Sequence, residues 1–187
     1  MSLSVARQEA NAYLKKACKD VTGRVLSPGG GLDRGEINYH GYRDVFPKAD
    51  EFVGVDLKKG KGVDVVADIR DLPFKDESFD AILSMVVLEH IGEGWRKAID
   101  EMDRVLKHQG LLFVVVPSLF SFHGHGQCND YRRWFKDGIS VDLESFCFIE
   151  DIRYIGMEKS FKKDKRLKYR GTFDEGYELI ALTARKR

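Results

Sequence analysis

Two stretches of the chain, "FDAILSMVVLEH" at 79–90 and "LLFVVVP" at 111–117, are apolar almost without interruption. A strand with one solvated face alternates apolar and polar residues, so runs of this kind belong to strands covered on both sides. Parallel strands joined by helices meet that condition. The shorter "EFVGVD" at 51–56 is of the same type, with "RVLS" before it and "VDVVAD" at 63–68 after it. Between the two longest runs, "GWRKAIDEMDRVLKHQG" spaces Trp95, Ala98, Ile99, Met102, Val105 and Leu106 as one helical face, with Gly110 as a left-handed C-terminal cap. Residues 4–19 predict a leading helix with Gly23 as its stop, and "FIEDIRYI" and "YELIALTARK" predict two late strands. Strand and helix patterns that alternate in this way define an α/β fold, a mostly parallel sheet with helices on both faces.

Composition limits what such a sheet does. A chain of 187 residues suits one domain, here 1–187, with a leading helix at 1–22, a binding core at 23–140 and C-terminal strands at 141–187. The formal net charge of +1 gives no global reason to expect nucleic acid or an anionic membrane as partner. Cys18, Cys128 and Cys147 are widely spaced with no C-x-x-C pair, which reads as reduced thiols in a cytoplasmic setting. The charged N-terminus lacks the apolar run of a signal peptide, and no segment approaches the ~20 apolar residues of a membrane span.

Open sheets of this class bind ligands at the carboxyl ends of their strands. The first strand runs into "SPGGG", which lacks both the third glycine of a dinucleotide fingerprint, since Arg34 stands there, and a P-loop lysine. What remains is G-x-G, Gly29 and Gly31, with Asp56 closing the next strand. Glycine lets a ligand lie against the backbone, and a carboxylate at the second strand end can accept two ribose hydroxyls, which suits a nucleoside without a pyrophosphate. A tight turn that needs positive φ accounts for the glycines equally well.

The run from 51 to 117 carries a G-V-D strand end, an acid before L-P-F, S-F-D entering the fourth strand, L-E-H at its exit and R-V-L-K-x-x-G after the helix. In this order the motifs resemble the class I S-adenosylmethionine-dependent methyltransferases, and within them the small type-11 group. The resemblance implies a Rossmann-like sheet of about seven strands with the last one antiparallel, and S-adenosyl-L-methionine as cofactor. It would put Ser27, Pro28, Gly29 and Gly31 beside the methionine portion, Asp56 and Leu57 at the ribose, Asp68 and Ile69 at the adenine, and Ser84 and Met85 along the cofactor's border. Glu89 and His90 would face the acceptor. Ser27 stands where relatives usually carry an acid, which removes a negative charge near the cofactor's ammonium and implies weaker binding. The segment 32–50 is broken by charges, glycines and Pro47 where a regular amphipathic helix is expected.

After the fifth strand, "HGHGQCNDYRRWF" at 123–135 is similar to a loop of small methyltransferases that act on sugars. That likeness implies His125 as general base with Asp130 as its orienting carboxylate, and Tyr131 and Arg133 at the acceptor. The structural alternative makes Asp130 the N-cap of the next helix, with Tyr131 to Phe135 packed inward. His123, His125, Cys128 and Asp130 could ligate a metal, but glycine-rich spacing of this sort recurs without one and no metal is expected. The basic "KSFKKDKRLKYRG" at 159–171 reads as a solvated loop between late strands, with RNA backbone as the alternative partner. The expected activity is methyl transfer to an oxygen or nitrogen of a small molecule, with a carbohydrate, a sugar or polysaccharide precursor, as the candidate acceptor. A non-catalytic scaffold of the same fold and an RNA methyltransferase are the alternatives.

Overall fold

A computed structural model describes residues 5–29, 42–119, 129–157 and 177–187. Its seven strands are β1 (Arg24–Pro28), β2 (Glu51–Asp56), β3 (Val65–Val66), β4 (Phe79–Met85), β5 (Leu106–Pro117), β6 (Cys147–Met157) and β7 (Tyr177–Lys186). They form one sheet in the order β3-β2-β1-β4-β5-β7-β6. The first five strands pair in parallel, and β7 lies antiparallel between β5 and β6.

The apolar runs are buried on both faces, as their continuity requires. Ala81, Leu83, Met85, Phe113 and Val115 pack under helix α1 (Val5–Cys18), while Ile82, Leu112, Val114 and Val116 pack under α2 (Trp95–Val105) and α3 (Lys136–Leu143). Each fully buried side chain of this size contributes about 1.5–3 kcal/mol. In α1 the buried residues are Ala6, Ala10, Leu14 and Cys18, four apart, and Val5 falls on the solvent side. No helix among the described residues is long and apolar enough to cross a membrane.

Three side-chain clamps set loops and strand ends. Gly54 N–H donates to Asp64 Oδ2 at 2.7 Å, and Asp64 N–H donates back to Gly54 O at 2.8 Å. A Cβ on Gly54 would lie 1.9 Å from the carbonyl oxygen of Gly62, so only glycine lets this loop cross β2. Asp80 accepts from Arg24 N–H at 2.8 Å and from Lys107 Nζ at 2.7 Å, tying the start of β1 to β4 and β5. Arg104 donates to the carbonyls of Leu72 at 2.9 Å and Phe74 at 2.7 Å while pairing with Glu101 and Asp76. Glu101 in turn accepts from Leu72 N–H at 2.7 Å, which fixes the D-L-P-F loop on α2.

Two local expectations are corrected. Helix α2 stops at Val105 because Leu106 already pairs with Phe79, and the left-handed residue is Gln109, φ 61°, not Gly110. Gly110 lies within β5, where the pairing jumps from Phe79–Leu106 to Ala81–Leu111 and the extra residues bulge out. Helix α3 begins after Phe135 with no side-chain cap, so Asp130 is not its N-cap; its carboxylate is taken by Arg133 instead. Of the residues expected to pack inward there, Trp134 is buried, but Tyr131 and Phe135 are exposed. From the irregular 32–50 segment, residues 42–50 are described, and they contain a single short turn of 3₁₀ helix at Arg43–Val45.

Candidate functional site

The carboxyl ends of β1, β2 and β4 lie side by side at the middle of the sheet. Strand β1 pairs Ser27 with Gly54 and Pro28 with Val55, so the next residue, Gly29, stands level with Asp56. Gly29 has φ 70°, the left-handed turn that its position predicted, and a Cβ there would come 2.4 Å from Cγ2 of Val87. The glycine thus keeps the turn after β1 in contact with the segment that leaves β4. Ser27 and Pro28 are buried beneath this turn. Gly31 lies outside the described residues.

Asp56 is half-buried, and its Oδ1 accepts from Lys58 N–H at 3.3 Å. Leu57 beside it is exposed. Asp68 holds Arg70 through contacts of 2.6–3.1 Å and also accepts Arg70 N–H at 2.8 Å. The guanidinium holds its carboxyl below the usual carboxylate range, and it keeps only part of its accepting capacity for a ligand. Ile69 is buried next to it. Arg70 was missed by sequence reasoning, although its place two residues after the acid is a recognisable spacing.

Strand alternation separates the two β4 residues expected along the cofactor. Ser84 pairs opposite Val114, whereas Met85 belongs to the core cluster beneath α1. The Ser84 hydroxyl is fully buried and has no hydrogen-bond partner among the described residues. Immediately after β4, Val86 adopts φ 56°, a conformation that a β-branched residue rarely takes, held by its N–H donating to Val115 O at 2.8 Å. Nothing in the sequence signals this strain. It turns the chain into the short 3₁₀ turn Leu88–His90, which delivers Glu89 inward to complete burial.

The segment 129–134 closes this side. Tyr131 N–H donates to Glu89 O at 2.8 Å, Trp134 N–H donates to Pro117 O at 2.9 Å, and Arg132 donates to the carbonyls of Ile91 and Gly92. Asp130, its side chain fully buried, grips Arg133 through both carboxylate oxygens. The Asp130 carboxylate, with a smaller contribution from the charge of Glu89, holds the Arg133 guanidinium in its charged form. His90 Nδ1 lies 2.6 Å from Asn129 O, and its Nε2 lies 3.7 Å from Glu89 Oε1. The sequence-predicted residues Glu89, His90, Asp130, Tyr131 and Arg133 are therefore brought together. His125 lies outside the described residues, as do His123 and Cys128 of the metal alternative and the whole basic stretch 159–171.

The sheet order, the antiparallel β7 and the carboxyl-edge site define a class I methyltransferase fold. Residues 44–114 match the family profile described as a methyltransferase domain. S-adenosylmethionine is the cofactor that such a domain implies. A putative methyltransferase of Bacillus halodurans superposes with a TM-score of 0.68 at 18% identity, covering 95% of this chain and 98% of that one. The 1,6-didemethyltoxoflavin-N1-methyltransferase of Burkholderia thailandensis, solved with bound 1,6-didemethyltoxoflavin and S-adenosylhomocysteine, gives 0.66 at 16% identity, covering 98% and 79%.

Among curated relatives, an uncharacterised protein of Methanocaldococcus jannaschii is 40% identical over 80 residues, 43% of this chain and 35% of that protein. The human probable tRNA methyltransferase 9B is 37% identical over 79 residues, 41% of this chain and 17% of that protein. The chain thus spans well under half the length of these two relatives.

The residues present fit an adenosyl group. The strand ends set the Asp56 carboxylate, a group able to accept hydroxyls, beside the Gly29 turn, and the buried Ser84 hydroxyl has no partner among the described residues.

Proposed function

We propose that the chain moves a methyl group from S-adenosylmethionine to an oxygen or nitrogen nucleophile of a small molecule. The observation that carries the reading is the left-handed Gly29 turn level with Asp56 at the carboxyl edge of β1 and β2. The bound cofactor supplies a methyl group activated on a sulfonium. In this reading the Gly29 turn lies against the methionine portion, with Ser27 and Pro28 beneath it. Asp56 accepts the ribose hydroxyls with Leu57 beside it, Ile69 frames the adenine, and Asp68 contributes what accepting capacity Arg70 leaves. Glu89, His90, Tyr131 and Arg133 wall the acceptor side. Asp130 is held by Arg133 through both its oxygens, and His125 lies outside the described residues.

A sugar acceptor rests on the likeness of the 123–135 loop. An RNA acceptor is a second reading, favoured by the partial match to a probable tRNA methyltransferase. Incubating the protein with methyl-tritiated S-adenosylmethionine and a cell extract, then separating small molecules from RNA, tests both. Label in the small-molecule fraction supports the first reading, label confined to RNA supports the second, and no label in either contradicts an enzymatic role.

A further inference from the structure

We infer that Arg70 is a specificity-determining residue: by taking up the Asp68 carboxylate, it leaves the cofactor site nearly indifferent to the exocyclic amine of the adenine. This rests on the methyltransferase reading above and adds how the base is read. Ala67 N–H donates to Asp56 O at 3.0 Å, so Asp68 comes one residue after the bond that ties this segment to the backbone of Asp56. With the ribose held at Asp56, Asp68 is the next acid along that edge. Its two oxygens offer about four lone pairs. Oδ1 accepts the Arg70 backbone N–H at 2.8 Å and the Nε–H at 2.9 Å. Oδ2 accepts from Nη2 at 2.6 Å and shares the Nε–H at 3.1 Å. At most one lone pair, on Oδ2, remains for an amine.

The pair is built to stay closed. The bond from Arg70 N–H to Oδ1 is that of an acid gripping the backbone two residues on, and Asp71 N–H donates to Asp68 O at 2.9 Å to complete the turn. At the far side, Arg70 Nη1 donates to Glu93 O at 3.0 Å, on the loop that leads into α2. The stem lies against Gly94, where a Cβ would come 3.4 Å from Arg70 Cδ. The guanidinium thus spans from the exit of β3 to the start of α2. Swinging it out to clear the carboxylate would give up the Nε and Nη2 bonds to Asp68 and the Nη1 bond to Glu93 O, in exchange for one bond from an amine. An isolated surface pair opens at little cost, but this one opens only with its tether. The neutralised carboxylate also presents little net charge to the partly positive amine hydrogens. A base edge that lacks the amine therefore loses little here, and the cofactor is held by its ribose and methionine portions instead.

The test is calorimetric titration of the full chain with S-adenosylhomocysteine and with its analogue that carries hydrogen in place of the 6-amino group, a change that leaves the ring nitrogens as acceptors. For the unaltered chain the two affinities are expected to agree within about threefold, because at most one weak bond is lost. Arg70→Met returns both Asp68 oxygens to the ligand, and a preference for the amine of about tenfold or more is expected to appear. An unaltered chain that already prefers the amine by about tenfold overturns the inference, and this arm needs no variant to fold. A folded Arg70→Met protein whose ratio matches that of the unaltered chain overturns it too, since it would make the pair purely structural. Failure of the unaltered chain to bind either compound instead counts against the methyltransferase reading itself.

Discussion

Gly54→Ala should damage the protein far more than one methyl group suggests. The new Cβ would lie 1.9 Å from Gly62 O, about 1.5 Å inside an ordinary contact, and the obstacle is backbone that cannot rotate away. The loop must then withdraw, which breaks the Gly54–Asp64 pair at 2.7 and 2.8 Å and disturbs the Asp64–Arg43 contact at 2.6 Å. One lost bond is to a carboxylate and one is neutral, while the ion pair is exposed and worth little, so the total is about 2–4 kcal/mol. For a chain of this size that lowers Tm by about 5–15 °C. Gly60→Ala is the control, since its Cβ would meet only Val63 Cγ2 at 3.9 Å, an ordinary contact. Calorimetric melting of both variants checks the argument. A Gly54→Ala protein that melts within about 2 °C of the parent, or a Gly60→Ala protein that falls as far, refutes it.

Arg104→Met should cost about 2–4 kcal/mol, because it leaves the carbonyls of Leu72 and Phe74 and the largely buried Glu101 without their donor. Arg104 holds the Glu101 carboxyl below the usual range, so that stabilisation is present above the unfolded carboxylate pKa and is lost as pH falls through the folded one; the gap between variant and parent should narrow in acid urea titrations. At the alkaline end, burial pushes the Tyr13 phenol from 10.0 up to about 12 and the Cys147 thiol from 9.0 up to about 12. The unfolded chain releases these protons first, so stability should fall as pH rises from about 9 towards 12, and the fall should be smaller in Tyr13→Phe. Val86→Asn should cost less stability than Val87→Asn in urea unfolding, because asparagine tolerates the left-handed backbone that Val86 is forced into; equal losses would show that the strain is immaterial.

The strands were legible because parallel strands buried on both faces have an unmistakable composition, and "YELIALTARK" coincides with β7 from end to end. Boundaries set by tertiary competition were not. Gly110 has the chemistry of a helix cap, yet pairing of Leu106 with Phe79 ends the helix earlier and shifts the left-handed residue to Gln109. The motifs that carry the family resemblance turn out to be largely scaffold. Gly54 of G-V-D, Asp80 of S-F-D, and Arg104 and Lys107 of R-V-L-K hold loops and strand ends rather than facing a ligand. Their spacing is readable because each clamp needs one residue type at one place. The acceptor side was read only as a set of residues. That His90 meets the Asn129 carbonyl and that Val86 is strained against Val115 depend on contacts between segments about thirty to forty residues apart, which no local pattern encodes, whereas the Asp130–Arg133 pair spans three residues.

The central claim is that the carboxyl edge beside Gly29 and Asp56 binds S-adenosylmethionine. Calorimetric titration of the parent chain and Asp56→Ala with S-adenosylmethionine and S-adenosylhomocysteine tests it most directly. Removing a carboxylate that accepts both ribose hydroxyls should cost about 1.5–3 kcal/mol, roughly ten- to hundredfold in Kd. Saturable binding by the parent that weakens by this factor in the variant is the predicted result. No binding by the parent, or equal binding by both proteins, would contradict the account.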